Sequence, residues 1–377
     1  VEFVFSDLHA AEWIFLSVSF LVILQYFFYL LPLTVFKKYR LEDTEPDFPV
    51  SVIICAKNEE KNLRKFLPEI LTQNYPEYEV VVVNDGSEDD TELVLNEFRK
   101  DFPHLKVVHF HPDEYYKHGK KMALLVGIKS AKYEHLLFTD ADCKPAGKGW
   151  IREMATGFTG QRKVVIGYSG FIPENSFLNL LIRWDCFFHG VMYLSAAIRG
   201  RAYMATGRNL AYTKSLFFEN RGFSGHYHLA SGDDDLFIRQ VSNSENTNIC
   251  IHPEAIVLTP AKKTFHEWKW QKSRHISTSY YYKTINRFRL GFYYFSLYAF
   301  YAFLITGLFL HPNLWFVYLS GWALKNIILW IFLLISSKKL NEKGLAIHSV
   351  YMEFLILVLY PLFHYLQKRY KPEKWTN

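Results

Sequence analysis

Four long apolar runs, one near the start and three after Arg289, prevent this chain from folding as a single water-soluble globule. The first, Trp13 to Phe36, is interrupted by Gln25 and small hydroxyls and ends in Lys37-Lys38-Tyr39-Arg40, a basic stop that predicts a cytoplasmic flank. It is too long for a signal peptide and lacks a basic n-region and a small-residue cleavage site. Because the sequence opens at Val1, part of the natural N-terminus is expected to be missing. The later runs are Phe292–Leu310, Leu314–Ser336 and Leu345–Leu366. Arg287 and Arg289 precede the first of these, and Lys338, Lys339 and Lys343 follow the second, so both flanks read as cytoplasmic, joined by an outer turn at His311-Pro312-Asn313. If the last run crosses fully, Lys368, Arg369, Lys371 and Lys374 lie outside, against the positive-inside tendency. Pro361 offers the alternative of a kinked re-entrant or interfacial hairpin, but four spans are expected. Lys325, inside the third, is expected to face protein, water or a lipid phosphate.

Between these ends the chain has ordinary globular composition. Val50–Ala56, Glu79–Asn84, Leu105–Phe110 and His135–Thr139 read as apolar strands, alternating with helical segments Glu59–Leu71, Asp90–Asp101 and Lys120–Ser130. That alternation predicts an α/β domain whose mostly parallel sheet is covered on both faces. Ligands of such sheets bind at the carboxyl ends of the strands, where strand order reverses. Phe177–Ala197 is apolar but carries Arg183, Asp185 and His189, and suits either the membrane interface or a buried core helix.

The residues at those strand ends are acidic. Asp140-Ala141-Asp142 follows the fourth strand, and alternate carboxylates at a strand end can share one face and hold Mg2+ or Mn2+. Gly232-Asp233-Asp234-Asp235 precedes the helix-like Leu236-Phe237-Ile238-Arg239 and could supply a general base. Either cluster alone reads equally as a solvated turn or cap, with Asp233 the candidate N-cap. Asp85-Gly86, after the second strand, can accept hydrogen bonds from a base or ribose, and Lys57 and Glu59 end the first strand. Gly119-Lys120-Lys121 brings cations near donor phosphates without the spacing of a Walker A loop. A net charge of +6 without a basic stretch interleaved with aromatics gives no reason to expect nucleic acid. Cys55, Cys143, Cys186 and Cys250 have no paired spacing and read as reduced thiols rather than a disulfide framework or zinc site.

Taken in order, these motifs resemble family 2 glycosyltransferases of the GT-A fold, over Val50 to about Tyr282. By that resemblance Asp85 contacts the base, and Asp140 and Asp142 form a DxD element holding the diphosphate through a metal. Asp234 is the catalytic base beside Asp233, and Thr206-Gly207-Arg208-Asn209 lines the acceptor side. Gln271-Lys272-Ser273-Arg274-His275 resembles the Gln-x-x-Arg-Trp motif of membrane-embedded polysaccharide synthases, with His275 in place of tryptophan. Gln271 and Arg274 are then donor-diphosphate ligands with Lys57, Glu59, Lys120 and Asp140, and His275 lies on the acceptor side. An interfacial amphipathic helix rich in Trp268 and Trp270 is the competing reading of that segment.

The resulting expectation is a GT-A domain over 41–289, cytoplasmic, between an N-terminal transmembrane helix in 1–40 and transmembrane or interfacial helices in 290–377. Its location is a bacterial inner membrane. Its reaction is an inverting, Mg2+- or Mn2+-dependent sugar transfer from a nucleotide-sugar, a UDP-sugar by family habit. The acceptor is membrane-associated, a lipid-linked saccharide or polyprenyl phosphate. A processive polysaccharide synthase and a non-catalytic membrane scaffold are the alternatives.

Overall fold

The computed structural model describes residues 8–37, 46–110, 119–227, 229 and 231–369. In chain order the strands are β1 (Val50–Ala56), β2 (Tyr78–Asp85), β3 (Leu105–Phe110), β4 (His135–Asp140), β5 (Lys144–Pro145), β6 (Val164–Gly167), β7 (Ser169–Phe171), β8 (Leu210–Thr213), β9 (Thr247–Cys250) and β10 (Val257–Thr259). The main sheet has the order β3-β2-β1-β4-β8-β6-β9, and a small second sheet has the order β5-β10-β7. The first four strands are mutually parallel, in line with the largely apolar sequences of β1, β2 and β4. In the main sheet β8 runs antiparallel to its neighbours β4 and β6, and in the small sheet β5 runs antiparallel to β10.

The strand order carries the functional geometry. From β1 the chain adds β2 and then β3 on one side, and returns to place β4 on the other side of β1. Strand order therefore reverses between β1 and β4, and register pairs Cys55 with Asp140 at their carboxyl ends. The loop after β1 is locked to the loop after β2. Asn58, in the left-handed region at φ 56°, accepts from the Glu88 N–H at 2.8 Å. The Glu59 and Glu60 N–H groups, otherwise unpaired at a helix start, donate to Thr91 Oγ1 and Asp89.

Four helices are long and apolar enough to cross a membrane: Ala10–Tyr29, Thr284–Leu310, Pro312–Lys339 and Leu345–Leu366. The first expected run extended to Phe36, but its helix stops at Tyr29 and a separate turn begins at Leu31–Val35. Pro32 lacks the N–H that would continue the ladder. The last helix runs from Ser349 to Arg369 straight through Pro361, so the hairpin does not form. Lys38, Arg40, Lys371 and Lys374, and the side chains of Lys368 and Arg369, lie outside the described residues. Lys325 faces protein: it pairs with Glu353, whose carboxylate also accepts from Tyr26 at 2.5 Å and Tyr301 at 3.2 Å.

Phe177–Ile198 is a buried helix, as one of its two readings held. Trp184, Phe187 and Phe188 belong to the same continuous core as Phe15 and Tyr26 of the first span, Phe300 of the second, and Val164 and Ile166 of β6. The globular part and the bundle therefore share one core. Polar ties reinforce it: Arg183 pairs with Glu342 at 2.8 Å, and Glu342 also accepts from Tyr168 at 3.0 Å.

Candidate active site

A cleft of about 450 Å³ opens at the strand-order reversal. Of the residues singled out in the sequence, Glu59, Lys120, Asp140, Asp142, Thr206, Gly207, Arg208, Asp233, Asp234, Gln271, Arg274 and His275 all line it. Lys57 and Asp85 do not. They sit together behind it, Lys57 Nζ 4.0 Å from the buried Asp85 carboxylate, at the ends of β1 and β2.

Asp140 closes β4, and Ala141 turns the chain so that Asp142 returns to the same side. Their carboxylate oxygens and Cys143 Sγ lie within 4.8 Å of one another. Burial disfavours the Asp140 charge, yet Lys120 Nζ, 2.5 Å away, holds its pKa below the usual carboxylate range. Asp142 is shifted the other way, by burial and then by the Asp140 charge. A cation between the two carboxylates would relieve that repulsion. Cys143 is fully buried, and burial followed by the Asp142 and Asp140 charges pushes its thiol well above its ordinary pKa. The two carboxylates line the cleft and offer oxygen ligands of the kind that suit Mg2+ or Mn2+.

Arg208 belongs to this acidic corner. Expected on the acceptor side, it lines the cleft with its guanidinium 4.8 Å over the Phe171 ring; burial opposes its charge, and neighbouring groups that include Asp140 and Asp142 raise its pKa nonetheless. Its neighbour Asn209 is structural: fully buried, it accepts from Trp150 and donates to the Tyr168 and Ala255 carbonyls. Lys121 likewise turns away from the cleft, giving its three protons to the carbonyls of His226, Leu229 and Ser231. It thereby fixes the loop that leads into the second acidic cluster.

In that cluster Gly232 takes φ 94°, and a Cβ there would meet Leu236 at 2.6 Å, so this turn requires glycine. The N-cap of the Asp235–Val241 helix is Asp234, not Asp233 as the sequence suggested. Asp234 Oδ1 accepts from the Asp235 N–H and Oδ2 from the Gly207 N–H, each at 2.7 Å. Burial, followed by the charges of Asp233 and Asp235, pushes its pKa up to about 7. Asp233 points instead toward Lys120, 3.9 Å away. Asp235 is clamped by Thr278 at 2.5 Å and Tyr282 at 3.0 Å.

Those two hydroxyls tie the cluster to the helix Phe265–Thr278, which forms the opposite wall. A capping box fixes its start: Thr264 accepts from the Glu267 N–H, and Glu267 reaches back to the Thr264 N–H. Gln271, Arg274, His275 and Thr278 then share one face at helical spacing and line the cleft. Trp268, one turn before Gln271, is buried against Phe363 of the last span, and Trp270 lines the cleft. Burial and the nearby Arg274, Arg208 and Lys272 lower the His275 pKa to about 3, leaving a neutral imidazole.

This arrangement joins strand-end carboxylates, a cap carboxylate near neutrality and a facing arginine in one cleft, and it coincides with a family-level match. Residues 51–229 match the family model described as Glycosyl transferase family 2. The chain carries a family 2 glycosyltransferase domain. Poly-beta-1,6-N-acetyl-D-glucosamine synthase of Staphylococcus epidermidis is 37% identical over 93 residues, covering 25% of this chain and only 21% of the synthase. The probable glycosyltransferase YdaM of Bacillus subtilis is 26% identical over 368 residues, 86% of this chain and 85% of its own length. Among solved structures, a Pyrobaculum calidifontis mannosyltransferase in complex with GDP-Man and Mn2+ superposes with a TM-score of 0.56 at 16% identity, over 89% of this chain and 99% of that one. The shared fold is GT-A. Residues of the glycosyltransferase cleft that sequence reasoning missed include Phe171, Met204, Thr259, His266, Trp270 and Tyr282. Only the aromatic density around Trp268–Trp270 hinted at any of them.

Proposed function

We propose that the domain transfers a sugar from a nucleotide-sugar donor, with inversion, to a membrane-associated hydroxyl or phosphate acceptor. The carrying observation is the convergence of Asp140 and Asp142, Asp233 and Asp234, and Gln271 and Arg274 on one cleft beside a four-helix bundle. A bound Mg2+ or Mn2+, held by Asp142 and Asp140, would neutralise charge on the donor diphosphate. Arg274 would add a bidentate contact to the same group, and the Lys120 ammonium a second positive charge. Asp234 would take the proton of the acceptor hydroxyl while its oxygen bonds to the anomeric carbon. The bond from that carbon to the diphosphate oxygen breaks, and the nucleoside diphosphate departs with the electron pair. A pKa of about 7 suits that exchange at neutral pH. The bundle beside the cleft supports a lipid-linked saccharide or polyprenyl phosphate as acceptor. The Staphylococcus synthase similarity favours a polymer acceptor as second reading, though His275 stands where processive enzymes of the family carry tryptophan.

The test is nucleoside diphosphate release by the detergent-purified chain across a panel of UDP- and GDP-sugars, with Mg2+ or Mn2+ and a bacterial lipid extract. One donor should be turned over, with activity lost in Asp142→Asn through weakened metal-dependent donor binding. Asp234→Asn should lose about 10²–10⁴-fold in turnover with donor binding retained. If Asp233→Asn shows that signature and Asp234→Asn turns over normally, the base is Asp233. Absence of donor binding in the wild type would leave the scaffold reading.

A further inference from the structure

Where the first two spans meet the globular part, three arginines converge without a carboxylate partner among the described residues. Arg199 caps the C-terminus of the Phe177–Ile198 helix, and its guanidinium stacks 3.6 Å over the Phe28 ring at the end of the first span. Arg289, in the first turns of the second span, lies 6.0 Å from the same ring, and its carbonyl accepts from Tyr29 at 2.9 Å. Arg201 and Arg289 both act on Arg199 as like charges, adding to its burial to depress its pKa. The Arg199 Nε–H is buried and has no hydrogen-bond partner. A buried donor left unpaired among like charges is unfavourable in the protein alone. Ordinary positive-inside flanking does not account for it, because Arg199 and Arg201 belong to the globular part rather than to a span.

We propose that this cluster binds the phosphate head group of a membrane lipid. Guanidinium groups present paired N–H donors that match phosphate oxygens, and more than one can share a single phosphate. The level is right: Phe28 is 36% exposed on the outside of the bundle, and Phe292 and Phe295, on the next turn of the second span, are 39% and 67% exposed. The cluster therefore lies at the rim of an apolar surface, at the end of the bundle that meets the globular part. It also connects to the cleft. From Arg201 the chain runs through Tyr203, packed on the Tyr282 ring at 5.8 Å, to Met204, Ala205 and Thr206, which line the cleft just before Gly207, the donor to Asp234. A lipid held by its phosphate here sits at the membrane end of the segment that forms the acceptor side. The site goes beyond the proposed transfer and stands whether or not that reaction is correct.

The full chain in neutral detergent, with EDTA present so that the cleft holds no phosphate through a metal, would be titrated with farnesyl phosphate, short-chain phosphatidylglycerol, a monoacylglycerol and inorganic phosphate. The readout is the thermal midpoint. A saturable rise is expected with the two phospho-lipids and none with the monoacylglycerol. Arg201→Gln, an exposed change that leaves the core intact, should raise the half-effect concentration about five-fold, and Arg199→Gln combined with it further still. Lys338→Gln, at a different basic flank, should not move it. Farnesyl phosphate acting alone would mark the site as selective for an isoprenoid phosphate, and equal action of both would mark a general head-group site. Inorganic phosphate giving the same rise at the same concentration would overturn the lipid assignment. A half-effect concentration unchanged in both arginine variants, or no rise with any phospho-lipid, would overturn the site itself.

Discussion

Lys272 projects from the helix that carries Gln271, Arg274 and His275, but away from the cleft, and its ammonium meets Asp185 at 2.5 Å. Both side chains are nearly out of solvent, at 12% and 7% exposure. Burial alone would raise the Asp185 pKa; Lys272, with His189 at 3.4 Å, overcomes that and holds it well below the usual range. Replacing Lys272 with Met removes the charge and strands the carboxylate, which costs about 3–5 kcal/mol for a buried pair broken on one side. Lys272→Met with Asp185→Leu removes both charges and fills the volume, so the double variant should return to within about 1 kcal/mol of wild type. The double variant should therefore be at least about 2 kcal/mol more stable than Lys272→Met, measured by denaturant unfolding in a fixed detergent. Because Asp185 is depressed in the folded state, the pair's stabilisation is present at neutral pH and lost as pH falls toward that depressed value. The single variant should therefore lose the acid limb of the wild-type stability curve. Since the same helix holds Arg274, donor KM should rise in Lys272→Met while kcat changes little. A single variant within 1 kcal/mol of wild type, or a double variant no better than the single, would refute the reasoning.

Two further outcomes follow from the buried carboxylates. With the Asp234 pKa pushed up to about 7, its proton-accepting form grows as pH rises through 7, so kcat should climb about tenfold per pH unit below that value and level off above it. A flat profile between pH 5.5 and 8 would exclude Asp234 as the base. In the bundle, Lys325→Met leaves Glu353 without its cation, although Tyr26 and Tyr301 still donate to it. It should lower the thermal midpoint far more than Lys325→Met with Glu353→Gln, a comparison read by differential scanning fluorimetry in detergent.

The parallel half of the fold was legible because β1, β2 and β4 are mostly apolar stretches that stop at a charged residue, as in Val50–Ala56 before Lys57 and His135–Thr139 before Asp140. The cleft was legible for the same reason: strand ends announce themselves. The later strands β5 to β10 have two to four residues each, too short for periodicity to separate them from loops. The Asp233/Asp234 capping register was misread because three consecutive aspartates give the N-cap no distinguishing neighbour; Gly207, 27 residues earlier, decides it by donating to Asp234. The contact of Arg208 with Phe171 was not legible because it depends on the 3-10 turn at Gly207–Asn209, which no local pattern encodes. Tyr282 and Thr278 were invisible as Asp235 partners because the contact joins segments more than 40 residues apart.

The boundary placed at residue 289 has a consequence of its own. Cutting there would separate Arg183 from Glu342, His189 from Tyr360 at 2.6 Å, and Trp268 from Phe363. It would also open the core in which Trp184, Phe187 and Phe188 meet the spans. Large apolar faces without a partner associate or precipitate in water. A fragment of residues 46–289 should therefore be recovered mainly as aggregate, and any soluble fraction should bind nucleotide-sugar more weakly than the full chain, because the helix carrying Gln271 and Arg274 has lost its support from the last span. The comparison uses size-exclusion chromatography and donor titration of fragment and full chain under the same detergent. A monodisperse fragment with full-chain affinity would mean that the spans only anchor the domain. The expected result would mean that they also hold the ligand helix against the acidic loops, so that donor binding and membrane packing are parts of one structure.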